Sequence, residues 1–443
     1  MFDPDLACGK TATRQAGNRV VKITGLSLEQ APPILIPFKF FLTASVFALI
    51  VGVVMTIAAE ATFLSRWSPL ALGITHLMTI GFLAQVMTGA MIQLLPVLAG
   101  SPIPAVITFS RVIHLSLVTG APLMGFGFIY SNQSVLVAGA TLALFAIALF
   151  LIAMALSLII SNSRHVNAIP LGLGWMAIVP TVVMGIYLVM GLSGNVVIAD
   201  MQLLTNVHLS WGLLGWVGIV LFATIFQLIP VFYVTKSPSN LFGNSLFVFV
   251  FLLLVLYSLS LYFDNQIFTF SLAIIIALFL LLSVALYQLI QERRRKIIDM
   301  TLVFLWTGLA CLGIATIVWI VGDNELLVGV LLLGGICMTI PIGIIYKVIP
   351  FLCWFHLQSM MVKQGKLSSG LPSMKHFIHD TDAKRHYLLH LLAISLTAAA
   401  TLTPGTLARP SGIAISLSSL YFFRNLLAAL LRYNRQQRAI LET

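Results

Sequence analysis

From residue 36 almost to its end, the chain alternates long apolar runs with short polar breaks. The runs fall at 36–58, 69–95, 106–130, 134–160, 169–193, 205–234, 241–263, 267–290, 300–321, 326–351, 387–403 and 411–431. Most are about 20 to 30 residues long, enough to carry a helix across a hydrocarbon core that needs about 20, and too long for tilted barrel strands of about 10. A lipid-embedded backbone must pair its own N–H and C=O groups, which a helix does internally. The pattern therefore predicts an all-α polytopic membrane protein with about twelve transmembrane helices.

Composition excludes the alternatives. Apolar residues make up 60% of the 443 and charged residues only 8%, with a mean hydropathy of +1.05. A soluble domain carries roughly a quarter charged residues. The polar stretch 1–35, with Lys10, Arg14, Arg19 and Lys22, reads as a cytoplasmic tail rather than a cleaved signal peptide. Residues 36–431 then form the membrane domain with a cytoplasmic loop at 357–386, and 432–443 form a second cytoplasmic tail.

Charge orients the helices. With both termini inside, all of the 24 Lys and Arg residues except Arg66 and Arg409 fall on one face, whereas Asp200, Asp264, Asp323 and Glu325 fall on the other. Basic loops stay in the cytoplasm, and the expected location is the bacterial inner membrane. The net charge of +11 is spread over loops rather than gathered with aromatics into a nucleic-acid patch, so anionic lipid headgroups are the expected partner. Cys8, Cys311, Cys337 and Cys353 offer no pair in an outer loop and imply no disulfide framework.

One phrase recurs at the inner ends of spans 2, 6 and 10: Ile92-Gln93-Leu94-Leu95-Pro96, Phe226-Gln227-Leu228-Ile229-Pro230 and Tyr346-Lys347-Val348-Ile349-Pro350. Its polar members are 134 and 120 residues apart, four spans per period, so the chain reads as three tandem four-helix units in parallel orientation. Gln93, Gln227 and Lys347 have two readings. They either supply donors to carbonyls orphaned by the prolines or snorkel to the interface, or they converge as a polar interior between spans 2, 6 and 10. His76 and His208 stand 17 and 19 residues before the repeated glutamines, roughly 25–29 Å away at 1.5 Å per residue. Both histidines belong to the outer third of the membrane, and span 10 has no counterpart.

Three four-helix units with histidines on the helices that open each period resemble subunit I of the heme–copper oxidase superfamily over roughly 36–431. Ile74-Thr75-His76, running on to Leu95-Pro96-Val97-Leu98-Ala99-Gly100, resembles the helix that supplies a low-spin heme ligand. The run from Tyr346-Lys347-Val348-Ile349-Pro350 to Cys353-Trp354-Phe355-His356 resembles a divergent oxidase-like branch, with nitric-oxide-response membrane proteins as distant relatives. The resemblance implies a redox or respiratory-assembly role alongside other respiratory or cytochrome proteins. It also implies departures: spans 7 and 10 contain no histidine, and Gly212 stands where the resemblance calls for tyrosine. The usual oxygen-reducing centre cannot be assembled from these residues.

Candidate chemistry then centres on His76 and His208, as axial ligands of a b-type heme or, alternatively, as ligands of copper with Met78 nearby. They could equally line a proton or substrate path, or be structural. Glu60 could orient His76, Arg111 and His114 could anchor headgroups, and Cys353 with His356 form a weak metal pair. His376, His379, His386 and His390 read as a solvated loop and the start of span 11. Two function classes follow: a cofactor-bearing redox or assembly protein, or a cofactor-free transporter, exporter or sensor working through the interior between spans 2, 6 and 10.

Overall fold

The computed structural model describes residues 32–99, 102–160, 168–236, 240–263, 266–294, 296–322, 324–366 and 370–442. The N-terminal stretch with Lys10, Arg14, Arg19, Lys22 and Cys8 lies outside these residues, as do Asp264, Arg295 and Asp323. Within them the protein is helical, without strands. We number the helices α1 (Leu35–Ala58), α2 (69–99), α3 (Val106–Ile129), α4 (Gln133–Ile160), α5 (168–192), α6 (Met201–Tyr233), α7 (Asn240–Ser258), α8 (Gln266–Gln291), α9 (Met300–Val321), α10 (Glu325–Lys363), α11 (Asp380–Ala400) and α12 (Pro404–Glu442). Eleven of them are long and apolar enough to cross a membrane. The remaining one, α11, begins with Asp380, Asp382, Lys384 and Arg385. The chain is a multi-pass, all-helical membrane protein.

Three of the predicted spans grow at their ends. α10 runs on to Lys363 and α11 begins at Asp380, so helix takes up both ends of the segment assigned to a 357–386 loop. Two aspartates in the first turn of α11 complement the positive end of its dipole, which explains the early start. α12 continues to Glu442 and absorbs most of the expected tail.

The repeat is written into helix geometry. α2, α6 and α10 each start on a side-chain cap: Ser68 accepts from Ala71 N (3.1 Å), Asp200 from Leu203 N (2.8 Å) and Asn324 from Leu327 N (2.9 Å). Each then widens into eight residues of π-helix, Leu77–Ala84, Trp211–Gly218 and Leu331–Met338. Each π segment ends nine residues before Gln93, Gln227 or Lys347. The fifth residue of each is glycine, pressed against the first helix of its own unit: Gly81 on Phe47, Gly215 on Ala177 and Gly335 on Cys311. A Cβ at these three positions would lie 2.6–2.9 Å from those side chains, so a larger residue would force the helices apart.

These three helices are the centre of the protein. In their most apolar stretches 56%, 61% and 61% of residues are buried, against 28% in α4, α7 and α8, whose exposed Val, Leu and Phe side chains suit contact with lipid. α1 and α12 close the ring through reciprocal glycines: a Cβ on Gly52 would sit 2.5 Å from Ser416 Oγ, and one on Gly412 2.5 Å from Thr56 N.

Candidate functional site

A cavity of about 1000 Å³ lies among the three units, lined mainly by Leu, Ile, Val, Met and Phe, with few polar groups. That is the upper end of the range for small-molecule and cofactor sites, about 300–1000 Å³. It reaches the acidic face at Gln202 and Glu325, which are exposed, and at Arg66. There Arg66 Nε donates to Glu325 Oε2 (2.7 Å) and its Nη2 to Asn206 Oδ1 (3.0 Å), while its guanidinium lies 4.0 Å from the Trp67 ring centre. One side chain thus ties the N-terminal ends of α2, α6 and α10.

His76 and His208 both line this cavity. Their surroundings match. Nδ1 of His76 donates to the Leu72 carbonyl (2.8 Å), one turn back and just ahead of the π segment. Nδ1 of His208 donates to the Thr181 carbonyl of α5 (2.9 Å). A carbonyl can only accept, so the proton of each neutral ring is on Nδ1 and each Nε2 carries a lone pair. Neither Nε2 bonds to a described residue. His76 is further braced by near-parallel stacking on Phe128 (4.8 Å), and His208 lies against Gly185, where a Cβ would be 3.2 Å from its Cε1.

Metal-ligating histidines commonly have one ring N–H held by a backbone carbonyl or carboxylate and the other nitrogen free. The two side chains meet that requirement, and the apolar walls suit a macrocycle. Met78 is buried and lines the same cavity, so a thioether is also at hand. Two lining groups, Thr62 Oγ1 and Trp216 Nε1, are buried without a protein partner. No three His, Cys, Asp or Glu side chains among the described residues converge on one point.

The remaining candidates separate. The Leu72 carbonyl orients His76, while the Glu60 carboxylate faces Gly405, at a distance of 3.7 Å from a Cβ built there. Lys347 pairs with Asp299 (2.6 Å), which also accepts from Tyr233 OH (2.7 Å) and caps α9 through Leu302 N. Gln93 lines an apolar void of about 60 Å³ where α2, α6 and α10 meet; neither Gln227 nor Lys347 lines it. His114 bonds to Thr43 Oγ1 (2.9 Å) and His356 to Tyr433 OH (2.6 Å), both helix-to-helix contacts.

His386 and His390 are a finding the sequence did not give. Rather than lying in a solvated loop and at a helix start, both are fully buried between α10, α11 and α12, in a hydrogen-bonded network with Tyr346, Thr339, Ser418 and Asn425. Their i, i+4 spacing puts them on one face, and the signal was the spacing of small and polar residues across α12, Ser411, Ser418 and Asn425.

No protein-family model matches this chain, and no curated protein does.

Proposed function

We propose that the protein is a membrane-embedded electron-transfer protein that holds a b-type heme through Nε2 of His76 and Nε2 of His208. The observation that carries this reading is that two histidines line one largely apolar cavity of about 1000 Å³, each with Nδ1 held by a backbone carbonyl and Nε2 bonded to no described residue. A bound heme would supply one-electron chemistry at a potential set by the two histidines that would hold it and by the burial of the site. The chain's own work is to fix both tautomers, to keep the rings in place with Phe128 and Gly185, and to exclude bulk water with apolar walls. Electron transfer is favoured over oxygen reduction because α7 contains no histidine, the one in α10, His356, bonds to Tyr433 OH, and no three His, Cys, Asp or Glu side chains converge among the described residues.

Copper is the second reading, supported by the buried thioether of Met78 on the same cavity wall. A cofactor-free transporter has less support, since at the level of Gln93 the space between α2, α6 and α10 narrows to an apolar void of about 60 Å³ that neither Gln227 nor Lys347 lines. The test is an oxidised and dithionite-reduced absorption spectrum of the detergent-purified full chain, with iron and copper quantified on the same sample. Stoichiometric heme with a reduced b-type α-band, lost in His76→Ala and His208→Ala, is the expected result. Copper without heme would select the second reading, and a folded, colourless, metal-free protein would overturn both.

A further inference from the structure

The buried network on α10, α11 and α12 is continuous, and its hydrogen bonds all run one way. Asn425 Nδ2 can only donate, and it donates to the Tyr346 oxygen (2.9 Å). The Tyr346 hydroxyl therefore turns its proton to Nδ1 of His386 (2.8 Å). That leaves the His386 proton on Nε2, facing Ser418 Oγ (3.2 Å), and Ser418 in turn faces Nδ1 of His390 (3.4 Å). At the far end Thr339 Oγ1 donates to the Gly334 carbonyl (2.8 Å), an acceptor five residues back in the π segment, so it must accept from Nε2 of His390 (2.9 Å). The donor at one end and the carbonyl at the other force the same direction on every bond between them.

The two ends of this chain open on different places. Asn425 lies beside Asp382, which accepts from Arg424 and Tyr421 on the basic face of the protein, where Arg424 and Arg385 are exposed. His390, Ser418 and Gly334 line the central cavity. About 12 Å of helix separates Asp382 from His390.

From this we propose that Tyr346, His386, Ser418, His390 and Thr339 form a proton relay between the basic face and the central cavity. A proton delivered to the Tyr346 oxygen displaces the hydroxyl proton onto Nδ1 of His386. His386 then releases its Nε2 proton to Ser418, Ser418 passes its own to Nδ1 of His390, His390 passes its Nε2 proton to Thr339 Oγ1, and the Thr339 hydroxyl releases its own proton toward the cavity that Gly334 lines. One proton enters and one leaves, each ring exchanges one N–H for the other, and no oxidant or reductant is needed. Asn425 and Asp382 are positioning residues: the amide sets the direction of the relay, and the carboxylate, with Arg424, marks its mouth. The relay ends in the cavity irrespective of any cofactor, so it does not depend on the heme reading.

The test is proton movement into vesicles containing the full chain, with a trapped pH-sensitive dye and a potassium diffusion potential set by valinomycin. Tyr346→Phe removes one relay hydroxyl and little else, and Thr339→Val removes the hydroxyl at the opposite end. Size-exclusion elution and helical circular dichroism confirm that each variant is folded. The wild-type protein should carry protons well above protein-free vesicles, and each variant should fall about tenfold, as expected if one lost link raises the barrier by about 1.4 kcal/mol. Wild-type flux equal to that of protein-free vesicles, or folded variants as fast as wild type, would show that the network only satisfies buried polar groups.

Discussion

The protein contains two histidine pairs that its helices treat in opposite ways. His76 and His208 sit on different units, are incompletely buried, and spend one nitrogen each on a backbone carbonyl while the other bonds to no described residue, and both side chains line the central cavity. His386 and His390 sit one turn apart on a single helix, are fully buried, and use both nitrogens in bonds to side chains. A neutral imidazole has one donor and one acceptor. The first pair keeps its acceptor available to a ligand, and the second has none to offer without breaking the network. Depth or mere presence of histidine on a transmembrane helix does not separate these cases; the partner of each ring nitrogen does.

Substitutions can break that contrast, and the largest effect should come from the cavity pair. His76→Ala or His208→Ala should remove nearly all bound heme from a protein that still inserts and elutes as wild type, measured as heme per chain. Next should come Gly185→Val, which pushes side-chain atoms against the His208 ring; heme content should fall several-fold without any ligand being replaced. His386→Ala should act on stability instead. It strips partners from the Tyr346 and Ser418 hydroxyls, and each buried polar group left unpaired costs about 1–3 kcal/mol. Unfolding in detergent should therefore move to lower denaturant while heme per folded chain holds.

Two ion pairs sharpen the picture at the ends of the helices. Asp299→Ala leaves Lys347 and Tyr233 without their shared acceptor at a site about a quarter exposed, and should cost about 1–3 kcal/mol in the same unfolding measurement. Arg66→Gln should have the smallest effect, about 0–1 kcal/mol, because its partner Glu325 is 63% exposed and well screened.

Most of the scaffold was legible in the sequence. The twelve apolar runs became twelve helices, and the period read from Gln93, Gln227 and Lys347 reappears as three π segments at one fixed distance from those residues. The glycines at 81, 215 and 335 repeat with the same period, twelve residues before each polar member, and were a readable mark of helix-to-helix contact. The π turns themselves were not legible, since apolar periodicity near 3.6 cannot distinguish an added residue in one turn from regular helix. The inward face of α11 was hidden for a related reason: Asp380, Asp382, Lys384 and Arg385 made its first turns look like loop, although tertiary packing and not local polarity decides where such a helix begins. The tautomers of His76 and His208 depend on carbonyls brought close by folding, and Thr181 is 27 residues from its histidine.

The central claim is a division of labour between the two pairs, and the most direct measurement is heme content per folded chain in His76→Gln, His208→Gln, His386→Gln and His390→Gln, purified side by side with wild type. The account predicts that the first two lose their heme and the last two keep it. Retention in both of the first two, or loss confined to the last two, would contradict it.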